Sequence, residues 1–428
     1  DPATGRASGG ARRPQDLREL FPQLFLALSS DLGSDSVVLS LLVHTPYAQR
    51  YSYLSGEGGK LFDPTLQGPG RYHAVDLTQF HLFVTTAASL KIIDSLSVGV
   101  AVSYVFGSMD FGFVHDAALE GGRARDEGEY VALDDCGGGA SCGYGANAAA
   151  EAVRVRGQAH GVAFGVGLLG RPHRAVDVGL GWVSRVVGIG GERIPAKGDA
   201  WVRRSQASFD NALADPDLAG TTVARDLEGR GTVHYALPDM LFLGATWRVR
   251  SWLALNLQAH WIDLSAHDRL DIRLTGTQFR ARPLLPDRLV HYRGYQDVFG
   301  AQLGIGWTLS SRLELQLASL VESAGLPMEA TSIAAIDAIK VDSLLALRWQ
   351  VTRRLTVRAG YGLVLMPAVQ TLDSVFAPSE MVSCVESHYD VELPECRRAA
   401  EGRGLASAAG RYRLTTHRFS LGLSYDAW

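Results

Sequence analysis

The sequence predicts an all-β protein: a transmembrane antiparallel β-barrel with short turns on one side and long loops on the other. Three observations lead there. Runs of about ten residues alternate at period two, the length of a tilted strand crossing a bilayer. The less apolar phase of those runs is small rather than rich in lysine and glutamate. The composition is high in glycine and low in charge. Glycine fills 47 of 428 positions, above the usual ~7%, and charged residues make up 20%, below the ~25% of soluble domains. Hydrophobic content of 46% excludes a disordered chain. No stretch approaches the ~18–20 apolar residues of a spanning helix. With 41 basic against 45 acidic residues, the chain is not a strongly basic nucleic-acid binder.

Six runs carry the alternation most clearly. Leu96, Val98, Val100, Val102, Tyr104 and Phe106 alternate with Ser97, Gly99, Ala101 and Ser103. Val162 to Leu168 and Val176 to Trp182 alternate with glycine, alanine and Asp177. Leu253, Leu255, Leu257 and Trp261 face away from Asn256, Gln258 and His260; Ile305 and Trp307 face away from Gly304 and Gly306. Leu355, Val357, Tyr361 and Leu363 face away from Arg358, Gly360 and Gly362. A soluble sandwich would place lysine and glutamate on its solvent face. A small, sparsely charged phase suits a crowded lumen, with Val98, Val100, Val102, Leu180, Leu257, Ile305, Val357 and Leu363 in lipid.

Thirteen strands are expected, at 21–30, 35–46, 72–90, 94–107, 153–169, 174–188, 233–249, 252–266, 293–309, 312–323, 341–351, 354–367 and 411–426. Short turns fall at 170–174, 250–251, 310–311 and 352–354; long connections fill 108–152, 189–230, 267–292, 324–340 and 368–410. That asymmetry is the one between periplasmic turns and extracellular loops. Single-chain bacterial barrels close with an even number of strands, so a complete barrel of about 14 is expected. Residues 1–20 then form a polar segment or extracellular loop, residues 21–428 one barrel domain, and a first strand is missing at the N-terminus.

The four cysteines fall as Cys136/Cys142 and Cys384/Cys396. Neither pair has histidines at zinc-binding spacing. In an oxidising compartment two local disulfides are expected, with free or cross-paired thiols as the alternative. No hydrolase, P-loop or dinucleotide motif sits in its required context, so no catalytic residue, cofactor or metal site is assigned. His73, His81, His160, His234, His260 and His291 lie at strand positions and are expected to hydrogen-bond in the lumen. His417 and Ser420, three apart on one strand, face opposite ways and cannot form a nucleophile–base pair.

Gly294-Tyr295-Gln296-Asp297, Leu237-Pro238-Asp239 and Trp261-Ile262-Asp263 together resemble segments of the FadL/TodX family of outer-membrane transporters for long-chain fatty acids and other hydrophobic compounds. Gly294-Tyr295-Gln296-Asp297-Val298-Phe299 looks like that family's aromatic-Gln-Asp strand opening, followed by alternating glycines. Leu237-Pro238-Asp239 through Gly244, continuing to Trp261-Ile262-Asp263-Leu264-Ser265, is similar to two more of its motifs. Pro69 to Ala74 after His44-Thr45-Pro46-Tyr47, and the closing Phe419 to Tyr425, complete a likeness that covers most of the chain from about residue 20. The family's N-terminal hatch and its NPA-like motif are not found here.

The resemblance implies uptake of long-chain fatty acids or similar hydrophobic small molecules in the bacterial outer membrane. The barrel would be a monomer in outer-membrane lipid, carrying detergent in a purified sample, with no nucleic acid partner. A diffusion porin or structural barrel is the alternative, and Arg248, Glu314, Arg348 and Arg358 on the lumen phase would suit it. No motif assigns ligand-contacting residues. The family's sideways opening at an early strand would fall at 35–46, where Pro46 cannot donate a ladder hydrogen bond; the bland alternative is that Pro46 ends the strand.

Overall fold

The computed structural model describes residues 20, 22–52, 75–116, 150–204, 222–280, 288–332, 335–371 and 410–426, and isolated positions 209, 213 and 220. In chain order the strands are β1 (Phe25–Ser30), β2 (Val37–Ser52), β3 (Asp76–Ile93), β4 (Leu96–Asp116), β5 (Ala150–His173), β6 (Val176–Val183) and β7 (Val187–Gly188). They continue as β8 (Ile194–Arg203), β9 (Asp226–Tyr235), β10 (Met240–Arg250), β11 (Leu253–Ile262), β12 (Arg269–Thr275), β13 (Arg288–Tyr292) and β14 (Val298–Ser310). The last are β15 (Leu313–Glu322), β16 (Lys340–Gln350), β17 (Leu355–Leu365), β18 (Val369–Thr371), β19 (Gly410–Tyr412) and β20 (Thr415–Tyr425).

One antiparallel wall runs β1-β2-β3-β4-β5-β6-β10-β11-β14-β15-β16-β17-β20. Its strands correspond to the thirteen expected. Among the described residues β1 pairs with β2 alone and β20 with β17 alone, so the wall has two unpaired edges. The edge shows in exposure: Phe419 stands at 80% on β20, whereas Leu180 in mid-wall stands at 43%.

Register sorts the two faces. One lateral row reads Val98, Leu168, Leu180, Leu243, Ala259, Ala301, Val321, Val341 and Leu365. The row beside it reads Gly99, Gly167, Gly181, Phe242, His260, Gly300, Glu322 and Lys340. The first faces lipid and the second the lumen. Trp247, Trp307 and Trp349 stand on the lipid phase near the short turns, and Tyr104, Trp182 and Trp261 towards the other end. Such aromatic belts mark the two bilayer interfaces.

Several strands outrun their expected ends. β4 continues to Asp116 and β5 begins at Ala150, so 108–116 and 150–152 are strand rather than loop. The connections 189–230 and 267–292 contain β8, β9, β12 and β13, and residues 233–235 belong to β9 rather than β10. The physical reason is an exchange of faces along β4. Its lumen phase passes from Ser97, Gly99, Ala101 and Ser103 to Met109, Phe111 and Phe113, while its lipid phase passes from Val100 and Val102 to Ser108 and Asp110. A polar outside and an apolar inside are what water demands. The sheet forks here, because β5 pairs through Gly165–His173 with β6 but through Ala152–Gln158 with β8.

The forked branch β8-β9-β12-β13 and the outer halves of β3, β4 and β5 enclose a packed core above the bilayer. Leu77, Phe111, Val155, Val202, Tyr235, Leu270 and Ile272 are fully buried there. His291 of β13 packs on Phe111 and Phe113, with ring centroids 5.3 and 5.6 Å away. On the outside of this lobe the Arg154 guanidinium is buried against Asp110 (2.7 Å) and Asp76 (2.9 Å).

Two outcomes follow. Val100→Arg should destabilise the folded protein in lipid vesicles by about 2–4 kcal/mol, read from denaturant unfolding. Ala101→Arg, one residue over, should act through packing alone; equal losses would refute the lipid-face assignment. Arg154→Met takes the guanidinium from Asp76 while Asp110 keeps Arg156 at 2.7 Å, and should cost about 1–3 kcal/mol. Hydrogen exchange should place that loss in β3–β5 and β8 above the bilayer, with the membrane wall still protected.

Candidate functional site

Where the membrane wall meets the outer lobe, a cavity of about 400 Å³ opens, lined by four chain connections together with β2 and Gln79 of β3. β2 gives Pro46 and Tyr47, the β9–β10 connection Leu237 and Pro238, and the segment after β11 Leu264 and His267. The β13–β14 connection gives Arg293 and Tyr295, and the β15–β16 connection Ile336 and Asp337.

Pro46 does not end its strand: β2 runs through it to Ser52. Instead the register jumps between His44, opposite Phe83, and Tyr47, opposite His81, so Thr45 and Pro46 together face Leu82. Such a bulge reverses the side-chain phase, and both His44 and Tyr47 point inward. The Thr45 hydroxyl accepts the Leu24 N–H at 3.0 Å, holding β1 across the irregularity. Tyr47 packs on Phe83 and His81, and buried His81 Nε2 lies 2.7 Å from the Tyr235 hydroxyl.

Three of the sequence motifs meet at the rim. Gln296 N–H donates to the Gly325 carbonyl (2.9 Å), and Asp297 accepts from Trp261 Nε1 (3.0 Å) and the Ser265 N–H. Asp239 and Asp263 share the Arg185 guanidinium at 2.7 and 2.8 Å. Gly294 makes the turn between β13 and β14 with φ +64°, a left-handed conformation natural to glycine. Arg293, just before it, donates its backbone N–H to the Asp268 carbonyl at 2.6 Å.

The cavity's charges are unevenly matched. Asp337 accepts from Gly325 N–H (2.6 Å) and Lys340 Nζ (2.8 Å). Lys340 also meets Glu322 at 2.7 Å, and Glu322 meets His260 at 3.0 Å, carrying the polar chain down into the lumen. A Cβ at Gly300 would overlap the His260 ring, so glycine there is what lets His260 reach Glu322. Burial, and then the neighbouring Arg293 guanidinium, push His267 down to about 3. It is therefore neutral, with Nδ1 donating to the Ala236 carbonyl at 2.6 Å. Arg293 is a buried cation in a space lined by Tyr47, Leu237, Leu264, Tyr295 and Ile336 together with the polar Gln49, Gln79 and Asp337.

A second concavity, about 490 Å³, lies on the lipid side of β1–β4. Leu28, Leu39, Leu41, Ala88, Val100 and Val102 line it, on the membrane half of the strands that carry the bulge.

The residues expected from sequence are partly gathered here. Pro46 lines the cavity, whereas Arg248, Glu314, Arg348 and Arg358 sit lower on the lumen phase, where Arg348 meets Glu314 at 3.7 Å and Arg248 pairs with Asp177. His81, His260 and His291 point inward. His160 does not: it faces outward and bonds the Tyr104 hydroxyl at 2.6 Å. His234 lies on the outer wall of the lobe, opposite in phase to buried Val233 and Tyr235. The alternation of β5 and β9 continues past the bilayer, which decides both orientations. His417 bonds Tyr361 at 2.9 Å on the lipid phase, opposite in phase to Ser420. His73 and all four cysteines lie outside the described residues. Sequence reasoning missed Tyr47, His267, Arg293, Tyr295 and Asp337 as site residues; the one signal was their nearness to Pro46 and to Gly294–Asp297.

Tyr235→Phe should leave the His81 Nε2 buried without its partner and cost about 1–3 kcal/mol. Thermal unfolding of the purified protein reads this, and no change would mean that the pair does not stabilise the packed core of the lobe.

Residues 59–363 match the family model described as outer membrane protein transport protein (OMPP1/FadL/TodX). Among solved structures, a Pseudomonas aeruginosa FadL homologue superposes with TM-score 0.66 at 15% identity, over 99% of this chain and 84% of that one. The Pseudomonas putida toluene transporter TodX gives 0.56 at 13%, over 82% and 78%. The Ralstonia pickettii toluene transporter TbuX gives 0.53 at 13%, over 77% and 73%. Comparison with curated protein sequences gives no match.

Proposed function

This chain belongs to the outer membrane protein transport protein family (OMPP1/FadL/TodX), β-barrels of the outer membrane that transport hydrophobic compounds, and from that premise we propose that it takes up long-chain fatty acids or similar hydrophobic small molecules. The observation that carries this reading is the position of the cavity, directly against the Thr45–Pro46 bulge. Leaving an apolar surface for water costs about 0.8 kcal/mol per methylene. Straight down from the cavity the lumen is lined by Glu322, Lys340, Glu314 and Arg348. On the lipid face the leucine- and valine-lined groove begins at Leu41, further down the same strand from Pro46. A ligand captured at the rim therefore keeps apolar contact by passing the wall at Pro46, where one residue of the ladder has no N–H to give. In this reading the barrel works as a monomer in outer-membrane lipid, replaced by detergent in a purified sample. The pairs Cys136–Cys142 and Cys384–Cys396 are proposed as local disulfides that fix loop shape.

The test is uptake of a labelled fatty acid by cells making the full-length protein with cysteines at Val43 and Val84, register partners beside the bulge. Oxidation should lower uptake several-fold and reduction should restore it. Unchanged uptake on oxidation would reject the sideways route. Passage of small hydrophilic solutes through the wild type would favour a diffusion porin instead.

A further inference from the structure

The short-turn end of the barrel carries charges that neither the lumen nor the cavity uses. Four turns that follow one another along the wall, β5–β6, β10–β11, β14–β15 and β16–β17, hold Arg174, Arg250, Arg312, Arg353 and Arg354, all exposed. The acids beside them are engaged elsewhere: Asp177 with Arg171 (2.7 Å) and Arg248, and Glu314 with Arg348 (3.7 Å). Among the described residues no carboxylate pairs with the five exposed arginines. The β1–β2 and β3–β4 turns at the same end have the opposite sign, with Asp31, Asp35 and Asp94, the last offset by Lys91 at 3.4 Å. The cations therefore form an arc over one side of the wall.

That arc is held in place and turned outward. Backbone bonds lace each turn to its neighbour: Arg248 N–H to the Ala175 carbonyl (2.8 Å), Thr308 N–H to Trp252 (2.9 Å) and Gln350 N–H to Arg312 (2.8 Å). Within the turns Ser310 Oγ accepts the Arg312 N–H and Thr352 Oγ1 the Arg354 N–H, both at 3.2 Å. At the end of β10 a bulge sets Arg250 opposite Leu253, whereas Arg248 stands opposite Ala254 on the lumen phase. Leu253 in turn stands opposite Trp307, on the lipid phase. The extra residue thus moves Arg250 out of the lumen to the lipid side. Trp252, 53% exposed, stands in the same turn. Tryptophan at this level marks the bilayer interface, so the guanidinium groups stand at head-group height.

We propose that the arc from β5 to β17 binds the phosphate groups of anionic phospholipids in the periplasmic leaflet. A guanidinium fork meets a phosphate through two parallel hydrogen bonds. The arginine stem can lie along the apolar wall while its charge stays at the interface. An acidic protein would also answer the charge, but the tryptophans on the lipid side of the same strands favour a lipid surface. The assignment holds whichever ligand the barrel carries.

The experiment places the intact protein in phosphatidylcholine vesicles and measures, by electron spin resonance, how strongly spin-labelled phosphatidylglycerol associates with it relative to spin-labelled phosphatidylcholine. The wild type is expected to prefer phosphatidylglycerol by about fivefold or more at low salt, the effect of one arginine and one anionic head group at a membrane surface. The preference should shrink as added salt screens the charges. Arg174→Gln, Arg250→Gln, Arg312→Gln, Arg353→Gln and Arg354→Gln combined should bring the ratio close to one. Lys197→Gln, on the outer lobe, should leave it as in the wild type, and loss of the preference there would move the anionic site to the other leaflet and overturn the proposal. If the combined variant does not insert, Arg250→Gln and Arg312→Gln singly should each lower the ratio, and a ratio unmoved in both overturns the proposal. A preference that survives the combined variant overturns it too. So does a wild type without preference, which would leave an acidic protein as the partner of the arc.

Discussion

A strand that crosses a bilayer and continues into water has to exchange the chemistry of its two faces, and the rest of this structure follows from where that exchange falls. On β4 it falls between Val105 and Met109, on β5 between His160 and Val155, and on β3 between Phe83 and Leu77. Below it, aliphatic side chains meet lipid and glycine, serine and alanine meet the lumen. Above it, Phe111 and Val155 turn inward on the same phase that carried Gly99 and Gly167. Because alternation has period two, no local rearrangement is needed; the residues change while the geometry continues.

The exchange creates a difficulty that the fork in the sheet resolves. Apolar faces of β3, β4 and β5 above the bilayer have to be covered by protein, since lipid no longer reaches them. The branch β8-β9-β12-β13 supplies the cover, and Tyr235, Leu270 and Ile272 complete the core. Inside that cover His81 Nε2 meets the Tyr235 hydroxyl at 2.7 Å, the kind of pairing that burial of polar groups demands. The outer wall of the lobe carries ion pairs instead, with Arg154 against Asp76 and Asp110 the most buried of them.

The cavity occupies the seam between these regimes. Neither the small polar lumen phase nor the packed lobe fills the space where the inside changes character, so connections from four parts of the chain border it. The bulge at Thr45–Pro46 sits at the same height on β2 and turns Tyr47 into the space. Gln296 and Asp297 then fix the rim through Gly325, Trp261 and Ser265. Motifs that read as strand openings in the sequence are rim clasps in the fold. Arg293 owes its burial to that clasp.

The sequence by itself determined the barrel: period-two runs with a small second phase specify the thirteen wall strands, their lipid faces and the side of the short turns. It also determined that Pro46 would disturb a ladder, because a missing N–H is a property of the residue. It did not reveal that β2 passes beyond Pro46, nor that β8, β9, β12 and β13 are strands, since their pairing partners are distant and a short polar-flanked run has no phase of its own to read. The same limit hid the site. Tyr47, His267, Arg293, Tyr295 and Asp337 come from separate connections, and each is unremarkable within its own window. Tertiary structure decided their meeting, because the fork of β5 and the return of β13 over β4 set which connections close over the lumen, and burial, a property of that closure, is what turned Arg293 from a loop cation into a buried one.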